Sequence, residues 1–417
     1  MHEAALEIDG NRARARWSAP GQVLLPVLTQ SGRECWPMLL ADAGRSVVTD
    51  EDAVRVARGE PGRVVGDFLH GLGTSRRFEA GGLTVDAAEA LRLVLLAVKR
   101  RQPPRAETAL GFPAYLDDTG ATEAARAADQ AGWRVQLAMP TALAWWGAAR
   151  SLADSPGQGA TMRRRWWLVV EADCHGVSLT GLRVEGSHGA VSLCRTLRSL
   201  GGRAWFNRVQ AALADGVIRR CRRDPRALPG CSSLLAARVA EMADQEIPYG
   251  SPLCVELTGE GWNCRVQLSP DELAVSCRPL VAQLAREAES WRPRLDELGA
   301  PGGVVLPPSA RLPGVEAWAR DWCARLGVPL AQPAQHAACD TMLGWLGAAR
   351  RGTMATGLWR QATALGGNPA PADKDSAADT ANMAAPLPVL ASAKNMPSRQ
   401  GYFEDMSDLN LTEWSGE

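Results

Sequence analysis

The chain has 417 residues, 46% of them hydrophobic and 22% charged, which is ordinary for a globular protein and enough to bury the cores of two to three domains. Its 46 basic and 46 acidic side chains cancel, but residues 366–417 hold eight acids against three bases, so that segment carries −5 and the body +5. That balance is too mild and too dispersed for a nucleic-acid surface, and no uncharged apolar run approaches the roughly 18 to 20 residues of a membrane span.

In chain order, residues 4–17 alternate around Asp9-Gly10-Asn11, which tolerate the positive φ of a tight turn and so predict a β-hairpin. A charged, loop-rich region follows. An apolar helix is expected over VDAAEALRLVLLAVKRR (85–101), stopped by Pro103-Pro104. TALGFPAY then extends as a strand, and DDTGATEAARAADQAG continues as a helix with acids near its N-terminus, where they favour the helix dipole. WRVQLAMP and TALAWWGAARSLA repeat strand and helix, and DSPGQGATM reads as a linker. Residues 163–197 hold three strands separated by turn residues, so the second half opens as the first does, with a meander. Helices are expected from LGGRAWFNRVQAALADGVIRRC and LLAARVAEMADQEI, a hairpin from SPLCVELTGEGWNCRVQLS and a long helix from DELAVSCRPLVAQLAREAESWRPRLDEL. A strand at GGVVLPP leads into a helix through residue 325, and MLGWLGAARRGTMA supplies the last helix. Two halves, each a meander followed by helices, predict an α/β fold made by duplication.

Ten scattered cysteines without a C-x-x-C pair read as buried free thiols. The five histidines are equally dispersed. Asp173-Cys174-His175 carries metal-ligating types, but three consecutive residues rarely converge on one ion, so no metal is expected. The basic clusters 163–165 and 219–223 read as solvated faces, and the pairs Trp145-Trp146 and Trp166-Trp167 as core. The acidic opening MHEAALEIDG lacks the basic patch of a secretory signal, so a cytoplasmic location is expected.

GFPAYLDDTGATEAARAADQAGWRVQLAMPTALAWWGAA resembles the VPAYF-to-EPTAAALAYG stretch of the seventy-kilodalton heat-shock chaperones, the DnaK-like proteins. LGGRAWFNRV (200–209) is similar to the family's LGGEDFDNRL, VVLPPSARLPGVEAW (304–318) to its VILVGGSTRMPKVQ, and LGAAR (346–350) to its YGAA. The four motifs agree in order over roughly residues 4–360. The resemblance implies a two-lobed actin-like ATPase (ribonuclease H-like) fold with duplicated sheet-plus-helix subdomains. It puts lobe I at 1–160 and lobe II at 161–365.

Carried over singly, the family's nucleotide-contacting residues fail. Asp9 matches the aspartate of IDLGTTNS, but the loop shrinks to a turn in which Asp9 is more simply a turn residue. Against DLGGGTFD, Glu171 falls at the first aspartate, Asp173, Cys174 and His175 at the glycines, Gly176 at the threonine and Ser178 at the last aspartate. Gly202 belongs to the LGG motif. Pro307 and Pro308 replace the glycines of VGGSTR, where Ser309 and Arg311 match its serine and arginine and either touch a ligand or cap the next helix. Leu69 stands at the catalytic lysine, Met139 at the glutamate of EPTAAA, and RVAEM (238–242) at the adenine-clamping helix. Phosphoryl transfer needs metal, lysine and backbone amides together, so the resemblance implies a pseudo-ATPase with no catalytic residue and no cofactor. The alternative is a divergent chaperone that binds Mg-ATP.

No counterpart of that family's peptide-clamping domain is expected in this sequence, since residues 366–417 leave no room for it. Residues 366–400 read as a disordered linker, and 401–417 place Tyr402, Phe403, Met406, Leu409, Leu411 and Trp414 among five acids and no base. Such a segment suits docking on a protein partner, an active chaperone relative among the candidates; the alternatives are that it packs back on the positively charged body or is inert. Together these readings describe a non-hydrolysing scaffold or regulatory binding protein.

Overall fold

The computed structural model describes residues 2–18, 24–44, 46–102, 106–153, 164–186, 188–228, 230–243, 250–259 and 262–350. The 366–400 linker and the 401–417 segment lie outside the described residues.

The first half opens with the hairpin β1 (Glu3–Ile8) and β2 (Arg12–Ser18). The stretch expected as loop carries β3 (Leu25–Pro26), β4 (Cys35–Pro37), β5 (Leu40–Asp42), β6 (Val47–Val48), α1 (Asp50–Gly59), β7 (Val64–Val65), β8 (Arg77–Ala80) and β9 (Leu83–Asp86). Strands of two to four residues are too short for alternation to register, and they form through pairings such as β5 with both β6 and β7. Then come α2 (Ala87–Lys99), β10 (Glu107–Phe112), α3 (Asp118–Gln130), β11 (Arg134–Pro140) and α4 (Thr141–Ala153). Asp117 caps α3 by accepting from the Gly120 amide at 2.8 Å. Asp117→Ala is therefore expected to lower stability by about 1 kcal/mol, read as a shift in the urea midpoint at unchanged slope.

The second half comprises β12 (Arg165–Ala172), β13 (Val177–Glu185), β14 (His188–Leu197), α5 (Gly202–Cys221) and α6 (Cys231–Ala243). The hairpin β15 (Leu253–Gly259) and β16 (Trp262–Leu268) follows, then α7 (Pro270–Asp296). Last come β17 (Ala300–Val305), α8 (Val315–Leu326), β18 (Leu330–Ala331) and α9 (Ala337–Arg350).

The fold is mixed α/β, and its two large sheets share one plan. The first runs β11-β10-β1-β2-β3, with β4 also on β2; the second runs β14-β13-β12-β17-β18. In each, the opening strand pairs antiparallel with the next in a meander, and parallel on its other side with a later strand. The two sheets thus match in the direction and order of their central pairings.

Alternation along each opening strand divides three cores. Ala4, Leu6 and Ile8 face a core with α2 and α3; Trp166, Leu168 and Val170 face one with α5 and α7. Ala5, Trp167 and Val169 face a central core shared by α4 and α9, which pack together between the sheets. All four tryptophans of the two pairs are buried, as expected. The cysteine reading needs correction on two points, pairing and burial. Cys221 at the end of α5 is joined to Cys264 of β16 in a disulfide, with Cα atoms 6.5 Å apart. Of the eight free thiols, Cys194 is exposed. Packing of β16 on α5 makes this pair, and a separation of 43 residues gave no sign of it.

No described helix is long and apolar enough to cross a membrane.

Candidate functional site

Both opening hairpins turn through the same hydrogen bonds. The Asp9 amide donates to the Arg12 carbonyl at 2.9 Å, and the Asp173 amide to the Gly176 carbonyl at 3.0 Å. Asp9 Oδ1 accepts from the amides of Asn11 and Arg12, two and three residues on; Asp173 Oδ1 accepts from those of His175 and Gly176. A short carboxylate caps each turn from within. The matched hairpins therefore pair Asp9 with Asp173. Two residues earlier, on the side of each strand facing the middle, they pair Glu7 with Glu171.

The two turns are bolted together. Asp173 Oδ2 accepts from the Gly10 amide at 3.0 Å and from the Tyr115 hydroxyl at 2.8 Å, and the Cys174 thiol donates to the Gly10 carbonyl at 3.0 Å. A Cβ on Gly10 would meet Asp173 Oδ2 at 2.8 Å and Cys174 Sγ at 2.9 Å, so only glycine permits this approach. Behind the bolt, the Gly202 amide at the start of α5 donates to the Asp173 carbonyl at 2.8 Å. The first amide of that helix N-terminus, which could have faced an anion, is thus taken by backbone.

Between the turns remains a cavity of about 20 Å³, lined by Glu7, Asp9, Glu171, Asp173, Tyr115, Thr141, Ser178 and Ser309 among others. Its four acids differ in compensation. Glu7 lies 3.6 Å from Arg14 and Asp9 lies 3.1 Å from Arg12, both arginines of β2. Among the described residues no basic side chain pairs with Glu171 or Asp173. Burial pushes the Glu171 carboxyl up to about 8, with Glu7 and Asp173 adding repulsion against the lowering effect of Thr141. Burial, then the charge of Asp9, pushes Asp173 up to about 6 despite its four donors. A space this small and acidic repels anions.

A second cavity, of about 420 Å³, opens on the far side of Asp173, lined by Asn11, Arg12, Gly202, Phe206, Pro308, Ser309, Arg311 and Arg320 among others. Its volume falls in the range of small-molecule sites. No family model matches the chain, and no curated protein matches it.

Of the residues singled out from the sequence, Asp9, Glu171, Gly176, Ser178 and Ser309 line the small cavity, while Gly202, Ser309 and Arg311 line the large one. Ser178 Oγ lies 3.1 Å from Thr196 Oγ1. Ser309 and Arg311 do not cap α8, because a separate turn, Pro308–Ala310, intervenes and Gly314 is the N-cap. Arg311 instead donates to the Pro333 carbonyl at 2.7 Å. Leu69 and Met139 are both buried in apolar cores. Lys99 is held at the end of α2 by Gln102 and the Trp133 ring.

Asp173-Cys174-His175 points three ways: Asp173 and Cys174 serve the bolt, while His175 turns to Asp67, its Nδ1 3.6 Å from Asp67 Oδ1. His70 lies against it, the rings stacked with centroids 4.5 Å apart. Glu7, Asp67, His70 and Tyr115 were missed by sequence reasoning. For Glu7 a signal existed, since it precedes Asp9 by the two residues that separate Glu171 from Asp173; for the others there was none.

Proposed function

We propose that this protein is a degenerate actin-like ATPase, related to the seventy-kilodalton heat-shock chaperones, that works as a non-hydrolysing scaffold or regulatory binding protein. The repeated strand order of the two sheets, with helices between them, supports the two-lobed fold. The single observation that carries the loss of activity is the Asp173 carboxylate. It takes the amide of Gly10 and fills, with negative charge, the space between two turns that would otherwise cradle phosphate. Neither Leu69 nor Lys99 supplies a cation there. On this reading binding is the function, and 401–417 is the segment that contacts a protein partner, an active chaperone relative among the candidates.

One observation favours the second reading, a divergent chaperone that binds Mg-ATP. The cavity of about 420 Å³ beside Gly202, Ser309 and Arg311 lies where the resemblance expects adenosine. Calorimetric titration with Mg-ATP and Mg-ADP separates the two. The expected result is no detectable binding at millimolar nucleotide and no phosphate release. Micromolar binding would replace the scaffold with a nucleotide-driven switch.

A further inference from the structure

Asp67, His70 and His175 bring three potential metal donors to one point from both halves of the chain. His70 Nδ1 lies 3.3 Å and His175 Nδ1 3.6 Å from Asp67 Oδ1, and the three donor atoms all lie within 4.8 Å of one another. A tetrahedral ion bound at about 2.0–2.1 Å to nitrogen and oxygen spaces its ligand atoms about 3.3 Å apart, so the two shorter edges are those of a coordination polyhedron. The parallel rings, 11° from coplanar, present Nδ1 to the same carboxylate oxygen. Asp67 holds its backbone in the left-handed region, with φ 49°, a conformation sparsely populated outside glycine.

We propose that Asp67, His70 and His175 bind one divalent transition-metal ion of the zinc type, with a fourth position left to water. Two imidazoles and a carboxylate are the donor set such ions favour over magnesium or calcium. The histidine side chains are 13% and 8% exposed and Asp67 41%, which leaves a dry site with one open edge for entry. Cys174 Sγ is 3.4 Å from Asp67 Oδ1, but it is engaged in the bolt, donating to the Gly10 carbonyl at 3.0 Å. The ion would tie residues 67–70 to the turn between β12 and β13, fastening the two halves beside the bolt.

One neighbour competes. Arg76 lies 2.6 Å from His70 Nε2, which then accepts, leaving the proton on Nδ1. Coordination through Nδ1 moves that proton to Nε2 and turns the exposed Arg76 outward. Arg76→Ala should therefore bind the ion more tightly than the parent.

The test is calorimetric titration of the untagged, chelator-stripped full chain with Zn²⁺, alongside Co²⁺ absorption. One ion per chain, a four-coordinate Co²⁺ spectrum and a raised Tm are expected. His175→Ala and His70→Ala should each lose more affinity than the 10–100-fold typical of an outer-shell change. His70→Asn keeps a hydrogen-bond donor near Asp67 and should lose it equally, which separates coordination from folding. No uptake, or uptake of the same affinity in the histidine variants, would overturn the proposal.

Discussion

Glu171→Gln is expected to stabilise the protein at pH 8 by about 2–4 kcal/mol and to leave it nearly unchanged near pH 4.5. The Glu171 carboxyl titrates at about 8 in the fold, chiefly because it is buried, and near its ordinary 4.5 once unfolded. Between those values the native state keeps a proton that the unfolded chain releases. Stability therefore falls as pH rises across the window, by up to about 1.4 kcal/mol per unit, and the fall ends above pH 8 where both states are ionised. Glutamine removes the slope. It also fits: the Thr141 hydroxyl lies 2.6 Å from Glu171 Oε1 and 3.2 Å from the Phe112 carbonyl, with one hydrogen to give. When Glu171 is protonated it donates to Thr141, which donates to Phe112, and a glutamine amide can do the same. Denaturant midpoints at pH 5 and pH 8 decide the matter. A parent protein equally stable at both, or a variant weaker at pH 8, would mean that Glu171 is ionised in the fold.

Asp173→Ala is the second large effect, a loss of about 3–5 kcal/mol at pH 7.5, where Asp173 is ionised. The change strands four donors at once: the amides of Gly10, His175 and Gly176 and the Tyr115 hydroxyl. Asp173→Asn keeps one acceptor oxygen and removes a charge that burial and Asp9 disfavour, so it should lose less than the alanine variant. Asp9→Ala makes a useful control, because Asp9 caps its own turn without crossing to the other hairpin. Urea unfolding of the three variants should rank Asp173→Ala lowest. Equal losses in Asp9→Ala and Asp173→Ala would show that the contact between the turns adds nothing.

Much of the fold was legible because its signals are local. Asp9-Gly10-Asn11 makes a hairpin from turn chemistry alone, and the helix expected at 85–101 is found at Ala87–Lys99 with Asp86 as its cap. The short strands of residues 24–86 were not legible, because each depends on a partner rather than on its own pattern. The candidate site divides the same way. Asp9, Glu171, Gly176, Ser178 and Ser309 could be singled out from motif positions, and they do share a cavity. Their state could not be read, since the raised Glu171 carboxyl follows from burial and from Glu7, which lies on the other sheet.

By itself, then, the sequence determined the period of each long element, the turn residues between them and the repeat of meander and helices, all consequences of interactions within about a dozen residues. Tertiary structure alone decided which polar groups meet. Gly10 and Asp173 are 163 residues apart, Cys174 and Asp67 107, and nothing in either segment specifies the other. Whether a carboxylate caps a turn, closes a cleft or stands ready for an ion depends on what the opposing strand brings within about 3 Å, and that is set by sheet order and packing.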